Sequence, residues 1–445
     1  LDIIGMIPSF GGLFFTIAAF VVALSIIVAV HEYGHYIVGR WSGIHAEVFS
    51  LGFGPVLLAR TDRRGTRWQI AALPFGGYVK FAGDADAASG KDEAAMAGLS
   101  DDARRRTMHG APLWARSATV AAGPVFNFIM SIIVFGAFFL VSGVGTNQPV
   151  VGDLRALPAE VQEVRPGDRI VAIEGVPTPD TAALFTAIDD LAPRPVVNYT
   201  VERDGREMVV QGPWPMPPLA ASVQPQSAAR DVDMQAGDVV LSVDGTPISA
   251  FSELRDAVGN SDGRALLLNV WRDGQVFEIA LVPRRVDLPL PEGGFETRWL
   301  IGLSGGMFFE GETRTPGVFE AAWMGVEQTW TIASTSLSGL GHMITGAISS
   351  CNLRGPIGIA ETSGAMASDG IASFIWFIAV LSTAVGLLNL FPIPVLDGGH
   401  LVFHAYEAVT GRPPSDRALR VLMAAGLTLI LTMMVFALTN DIFCP

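Results

Sequence analysis

The chain has 445 residues, half of them hydrophobic and only 16% charged, against about 25% charged in an average globular protein. That balance excludes a disordered acidic protein, argues against a wholly water-soluble enzyme and points to the membrane. The net charge of −14 sits entirely in residues 142–370, which hold 29 acidic and 15 basic side chains and leave 14 of each elsewhere. An acidic segment between apolar flanks reads as a water-soluble module inserted into a membrane protein. Without a basic surface, nucleic-acid binding is disfavoured.

Four stretches are apolar over the roughly 20 residues that a helical span needs: 13–38, 118–141, 371–390 and 421–438. The first starts without basic residues and lacks a small-residue cleavage site, so it reads as a retained helix and not a removed signal peptide. Its last third carries His31, Glu32 and His35. Each ionisable group near a bilayer centre costs about 2.5–3.5 kcal/mol, so these three need water, a metal or one another. Nine arginines between Arg40 and Arg116, and Arg412, Arg417 and Arg420, lie in the loops after spans one and three. The positive-inside rule makes both loops (42–116 and 395–417) cytoplasmic and puts both termini and the acidic segment outside.

After the first span, residues 45–82 alternate β-prone apolar runs with Gly52, Gly54, Gly76 and Gly77. They are expected to form a β-hairpin dipping into the membrane beside protein or a wet cavity; the competing reading is an ordinary cytoplasmic hairpin. Pro74 marks its second strand as bent or at an edge. Residues 83–110 read as a polar loop. The outer segment contains a repeat: Pro166-Gly167-Asp168 opens a strand ending in Glu174-Gly175, and Ala236-Gly237-Asp238 opens one ending in Asp244-Gly245. Each is followed by a helix and a hairpin closed at Asp204-Gly205 or Asp273-Gly274. Two such β-rich units resemble tandem PDZ domains. Residues 317–350, with Phe319, Trp323 and Trp330 among small polar residues, suit a helix on the outer membrane surface or a plain soluble helix.

His31-Glu32-Tyr33-Gly34-His35 is H-E-x-x-H on a helix. Its spacing puts two imidazoles on one face for a tetrahedral Zn²⁺, with Glu32 beside them as general base. The competing reading is a polar knot that bonds neighbouring helices. No local third ligand follows: Val38 and Trp41 occupy the metzincin positions, and His45 and Glu47 lie past the end of the span. After span three comes Asn389-Leu390-Phe391-Pro392-Ile393-Pro394-Val395-Leu396-Asp397-Gly398-Gly399-His400. The prolines break the helix and the glycines permit close backbone approach. Asp397 would complete a His₂Asp site; His400 is a rival ligand or a neighbour.

H-E-x-x-H in the first span paired with N-x-x-P-x-P-x-L-D-G in a later one resembles the site-2 protease family of intramembrane zinc metalloproteases. The tandem repeat narrows the resemblance to the bacterial regulator-of-sigma-E protease group. Gly52-Phe53-Gly54, Pro74-Phe75-Gly76-Gly77-Tyr78 and Ala122-Gly123-Pro124-Val125-Phe126-Asn127 look like the same group. The resemblance implies one Zn²⁺ per chain on His31, His35 and Asp397, with Glu32 as base. It implies that Asn389 and Asn127, and Gly52, Phe53 and Gly54 in the hairpin, meet the substrate. It implies a multi-pass protein of the bacterial inner membrane with PDZ domains in the periplasm. Its substrates would be single-pass membrane proteins, namely anti-sigma factors already cut by an upstream site-1-type protease and remnant signal peptides.

The expected architecture is a polytopic α-helical membrane protein. It has transmembrane helices at 1–41, 117–142, 371–400 and 418–440, a loop 42–116 with the membrane-associated hairpin, PDZ units at 145–214 and 215–286, and a linker with a surface helix at 287–370. Cys351 and Cys444 are candidates to pair outside the membrane. The alternative function is a catalytically idle PDZ-bearing scaffold or receptor, against which the intact Glu32 speaks.

Overall fold

The computed structural model describes residues 10–85, 96–290 and 295–443. It comprises two compact units, one drawn from residues up to 138, 318–341 and 353 onward, the other mainly from 139–317 and 342–352.

The first unit is mainly helical. Its long helices are α1 (Phe10–Trp41), α2 (Leu113–Ser142), α3 (Val318–Ile344), α4 (Pro356–Ser368), α5 (Ile371–Asn389), α6 (Asp397–Thr410) and α7 (Asp416–Phe443). Four of them are long and apolar enough to cross a membrane: Gly12–Trp41, Leu113–Ser142, Ile371–Asn389 and Asp416–Phe443. In hydrocarbon a helix satisfies its backbone internally, and helices then meet through small residues and buried hydroxyls. Here the Ser131 hydroxyl of α2 donates to the Ala379 carbonyl of α5 at 2.9 Å, and Ser382 of α5 donates to the Asn127 carbonyl at 3.0 Å. Asp441 on α7 accepts from the backbone N–H groups of Gly355, Ile357 and Gly358, which leaves fewer unsatisfied donors at the start of α4.

Span three ends sooner than expected. α5 stops at Asn389, a non-helical turn carries Pro392 and Pro394, and Asp397 opens a separate helix, α6, where a loop was expected. The expected surface helix is α3, and it buries Ala321, Gly325 and Thr329 while Phe319, Trp323 and Trp330 are exposed. The candidate Cys351–Cys444 pairing falls outside the described residues.

Residues 45–82 form two antiparallel strands, β1 (Ala46–Thr61) and β2 (Arg67–Phe81), but not a plain hairpin. Both fold back on themselves. Phe49 pairs with Val79 on one side and Trp68 on the other, and residues 56–61 take up the far side of 67–71. The bend of β1 falls at Gly52 and Gly54, whose φ values of +87° and +82° are unfavourable for any residue with a side chain. Residues 48–51 are therefore interior, and the strand segments without a second partner are 56–61 and 77–81.

The second unit is a structural duplication. In the first half Val176–Pro177, β3 (Arg169–Ile173), β4 (Val197–Arg203) and β5 (Arg206–Gly212) form one sheet in that order. In the second half Thr246–Pro247, β6 (Val239–Val243), β7 (Leu266–Arg272) and β8 (Gln275–Leu281) form its equivalent. Asp204 and Gly205, like Asp273 and Gly274, have positive φ, as a two-residue hairpin turn of matching twist requires. The aspartate that opens each repeat is buried and held by the arginine that closes its hairpin. Arg203 donates to Asp168 through two bonds of 2.7 Å, and Arg272 to Asp238 at 2.6 and 2.7 Å. Each half has its own core, around Ile170, Leu184 and Tyr199 or around Val240, Leu254 and Leu268. The start of the expected linker is not loop: residues 303–305 pair with 220–223, and 309–311 pair with 151–154.

Candidate metal centre

Four pieces of the helical unit converge on one cavity of about 290 Å³. The last third of α1 supplies His31, Glu32 and His35; the segment 77–81 of β2 lines one side; the first half of α2 lines another; and the 389–400 turn brings Asp397. The Nε2 atoms of His31 and His35 are 3.1 Å apart, and the Asp397 carboxylate Oδ2 lies 3.1 Å from the first and 3.5 Å from the second. A tetrahedral zinc with bonds of about 2.0–2.1 Å sets its donor atoms about 3.3 Å apart, which these separations bracket.

The neighbours prepare all three groups as electron-pair donors. His35 donates through Nδ1 to the Thr119 carbonyl at 2.8 Å, which leaves Nε2 without its proton. The Asn127 amide lies 3.2 Å from Nδ1 of His31, and its Oδ1 is buried and otherwise without a partner. With that amide turned over, Oδ1 accepts from the His31 Nδ1–H and Nε2 is bared in turn. The Asp397 Oδ2 is likewise buried with no hydrogen-bond donor. Three lone pairs facing one another repel unless a cation lies between them, so the donor set fits a divalent metal. Among the described residues His31, His35 and Asp397 are the group that could hold one. Gly123 of α2 leaves the room: a Cβ there would stand 2.4 Å from His35 Nε2 and 2.7 Å from His31 Cε1.

Glu32 lines the same cavity, beside the backbone of Val79. Asn389 also lines it, with its amide N–H donating to the Val385 carbonyl one turn back at 3.1 Å. Asn127 is buried against His31. Gly52, Phe53 and Gly54 are not in the lining; Phe53 stacks on Tyr78, which is, with ring centroids 5.9 Å apart. His45 and Glu47 are outside the cavity, and His400 is in its wall, as are His109 and His404. Burial pushes the His404 imidazole down to about 4, with the Arg116 guanidinium adding to the effect, so it is neutral at pH 7.

Helical bundle, metal-fitting donors and adjacent carboxylate together define a membrane-embedded metallohydrolase. The comparisons bear this out. Residues 19–433 match the family model described as Peptidase family M50, and the chain belongs to that family. It is 36% identical over 434 residues to "Putative zinc metalloprotease Atu1380" of Agrobacterium fabrum, covering 96% of this chain and 95% of that one. It is 33% identical over 457 residues to "Regulator of sigma-E protease RseP" of Escherichia coli, covering 96% and 98%. The protein is therefore a zinc-using metalloprotease of the membrane, and the idle-scaffold reading is set aside.

His31, Glu32, His35 and Asp397, singled out in the sequence, meet in this cavity, but what holds them there was not visible in the sequence. Arg116, at the start of α2, grips Glu407 of α6 through bonds of 3.1 and 2.6 Å, and Ser117 lies 3.2 Å from Nδ1 of His404. Residues 291 positions apart carry no mutual signal in one sequence. The pair fastens α6, which starts at Asp397, to the helix whose Thr119 orients His35. Arg116→Ala leaves a largely buried carboxylate unpaired and should lower stability on the order of 3 kcal/mol. Adding Glu407→Leu should recover most of that loss in thermal unfolding of the detergent-solubilised chain.

Proposed function

We propose that this chain is an intramembrane zinc endopeptidase that hydrolyses a peptide bond within the transmembrane segment of single-pass membrane proteins. The observation that carries this is the convergence of His31, His35 and Asp397 between helices apolar enough to span a bilayer. Those three residues would hold one zinc ion per chain. Zinc supplies Lewis acidity, polarising a carbonyl and lowering the pKa of water towards about 7. Glu32 accepts a proton from the attacking water and passes it to the departing amide nitrogen. Asn127 keeps His31 in its ligating tautomer, and the Thr119 carbonyl does the same for His35.

A helical substrate buries its peptide groups in i→i+4 hydrogen bonds and must unwind to be cut. Addition of the substrate as a strand to 77–81 would hold it extended along the cavity. That segment lines the cavity and has β1 on one side only, whereas 48–51 is interior. Tyr78→Cys, in a chain whose own cysteines are replaced by serine, should form disulfides with substrate cysteines at every second position. A helical substrate would give a repeat of three to four.

The bacterial relatives favour an inner-membrane location, and the arginine distribution favours loops 42–116 and 395–417 in the cytoplasm. The duplicated β units, read as PDZ domains outside, act as a size filter that admits substrates already trimmed by a site-1-type protease. The sigma-E regulatory name of the Escherichia coli relative favours anti-sigma factors as substrates, remnant signal peptides as a second group, and a part in envelope stress. The test is cleavage of a single-pass substrate lacking its outer domain by the purified chain in bilayers. Product should form, disappear with a zinc chelator and return with zinc; a chelator-insensitive result would overturn the reading.

A further inference from the structure

α1 carries a second feature, on the face turned about half a turn away from His31 and His35. There Ala29, Val30 and Tyr33 form one wall of a groove of about 670 Å³ whose other wall is the β1–β2 sheet, with Leu51, Leu58 and Ile70. The groove is apolar along its length, and its lining also includes Arg60 and Trp68, next to the turn that joins the two strands. That turn is strongly cationic. Arg60, Arg63, Arg64 and Arg67 fall within eight residues, all exposed and none in an ion pair among the described residues. The single carboxylate among them does not neutralise them. Asp62 accepts from the backbone N–H groups of Arg64 and Thr66 and from the Trp68 indole, and so holds the turn in shape.

An apolar groove beside a membrane-spanning helix, opening onto unpaired guanidinium groups, matches a molecule with an apolar chain and an anionic head. We propose that this groove binds an anionic phospholipid, the acyl chain lying against Val30, Leu58 and Ile70 and the phosphate meeting Arg60 and the neighbouring arginines. Leu58 in this wall and its neighbour Leu57 are 68% and 64% exposed, so this edge of the sheet presents apolar surface. The lipid seats the sheet whose opposite edge, 77–81, lines the metal cavity. The substrate is not the occupant favoured here, because the groove and the cavity use different faces of α1. This rests on the reading of residues 45–82 as dipping into the membrane from its cytoplasmic side.

Native mass spectrometry of the full chain in a non-ionic detergent, titrated with dioleoylphosphatidylglycerol or dioleoylphosphatidylcholine, tests the proposal. The first phosphatidylglycerol should bind tighter than phosphatidylcholine, by about fivefold for each guanidinium engaged. Arg60→Gln should lower phosphatidylglycerol binding about fivefold and phosphatidylcholine, whose phosphate is offset by its own choline, by clearly less, so that the headgroup preference shrinks. Arg60→Lys should keep the preference, and Leu58→Trp, which fills the groove, should weaken both lipids. No headgroup preference, or a preference untouched by Arg60→Gln, overturns the proposal. Displacement of the lipid by a single-pass substrate peptide also overturns it, since the groove would then belong to the substrate. A spin label on Leu57→Cys in nanodiscs separates the two levels: a label in water defeats the membrane placement itself, and a label in lipid without headgroup preference defeats only the lipid site.

Discussion

Glu32→Gln is expected to reduce proteolysis by about 10²–10⁴-fold, the range over which a positioned acid–base group acts, while zinc content stays at the wild-type level. The two expectations come from separate features of the site. Glu32 shares the cavity with the metal-fitting group but is not among its members, which are His31, His35 and Asp397. Glutamine keeps the side chain's size and its ability to accept a hydrogen bond from the backbone beside it, and loses the negative charge and with it the ability to take up and return a proton. Metal analysis and turnover on the same preparation check both. Loss of zinc together with activity would make Glu32 a structural support of the centre and not its base.

Gly123→Ala is expected to abolish zinc binding without unfolding the chain. The added methyl would stand 2.4 Å from Nε2 and 2.6 Å from Cε1 of His35, and 2.7 Å from Cε1 of His31. Real contacts of this kind are nearer 3.5–4.0 Å, so both imidazoles must move by about 1 Å. Neither can do so and keep its bond, His35 to the Thr119 carbonyl and His31 to the Asn127 amide. A displacement of that size is enough to lose a ligand geometry set to a few tenths of an ångström. Alanine is the better helix former, so α2 itself should persist. The expected result is zinc occupancy near zero and no cleavage, with an unchanged circular dichroism spectrum. Normal zinc content in this variant would mean that the imidazoles are held more loosely than their partners suggest.

How much of this was legible in the sequence depended on whether the signal was local. The four spans follow from runs of apolar residues, and the two repeats from matched Gly-Asp and Asp-Gly turns. H-E-x-x-H is a local pattern because a helix puts residues four apart on one face. Asp397 was reachable only because a lone carboxylate between broken-helix signals stands out in an apolar region. The start of a helix at Asp397 was missed, since Pro392 and Pro394 read as a loop without showing that a new helix begins three residues later. Tertiary pairing was not legible. The doubling of β1 and β2 into four paired segments puts 48–51 in the interior, where a plain hairpin would leave one side open, because one strand period fits either arrangement. Residues 303–311 read as linker because their partners lie some 80 to 160 positions earlier, in strands too short to announce themselves. Thr119 acts through its backbone carbonyl and Gly123 through the side chain it lacks, so neither could be recognised by residue type.

The position of the cut separates proteolysis within the membrane from proteolysis at its surface. A single-pass substrate with its outer domain removed, reconstituted in lipid bilayers with the purified chain, would be digested and both fragments sequenced by mass spectrometry. An intramembrane metalloprotease should make one principal cut inside the apolar segment, absent when a zinc chelator is present and absent in Asp397→Ala. Cleavage confined to residues outside the apolar segment, or an internal cut that survives in Asp397→Ala, would contradict it.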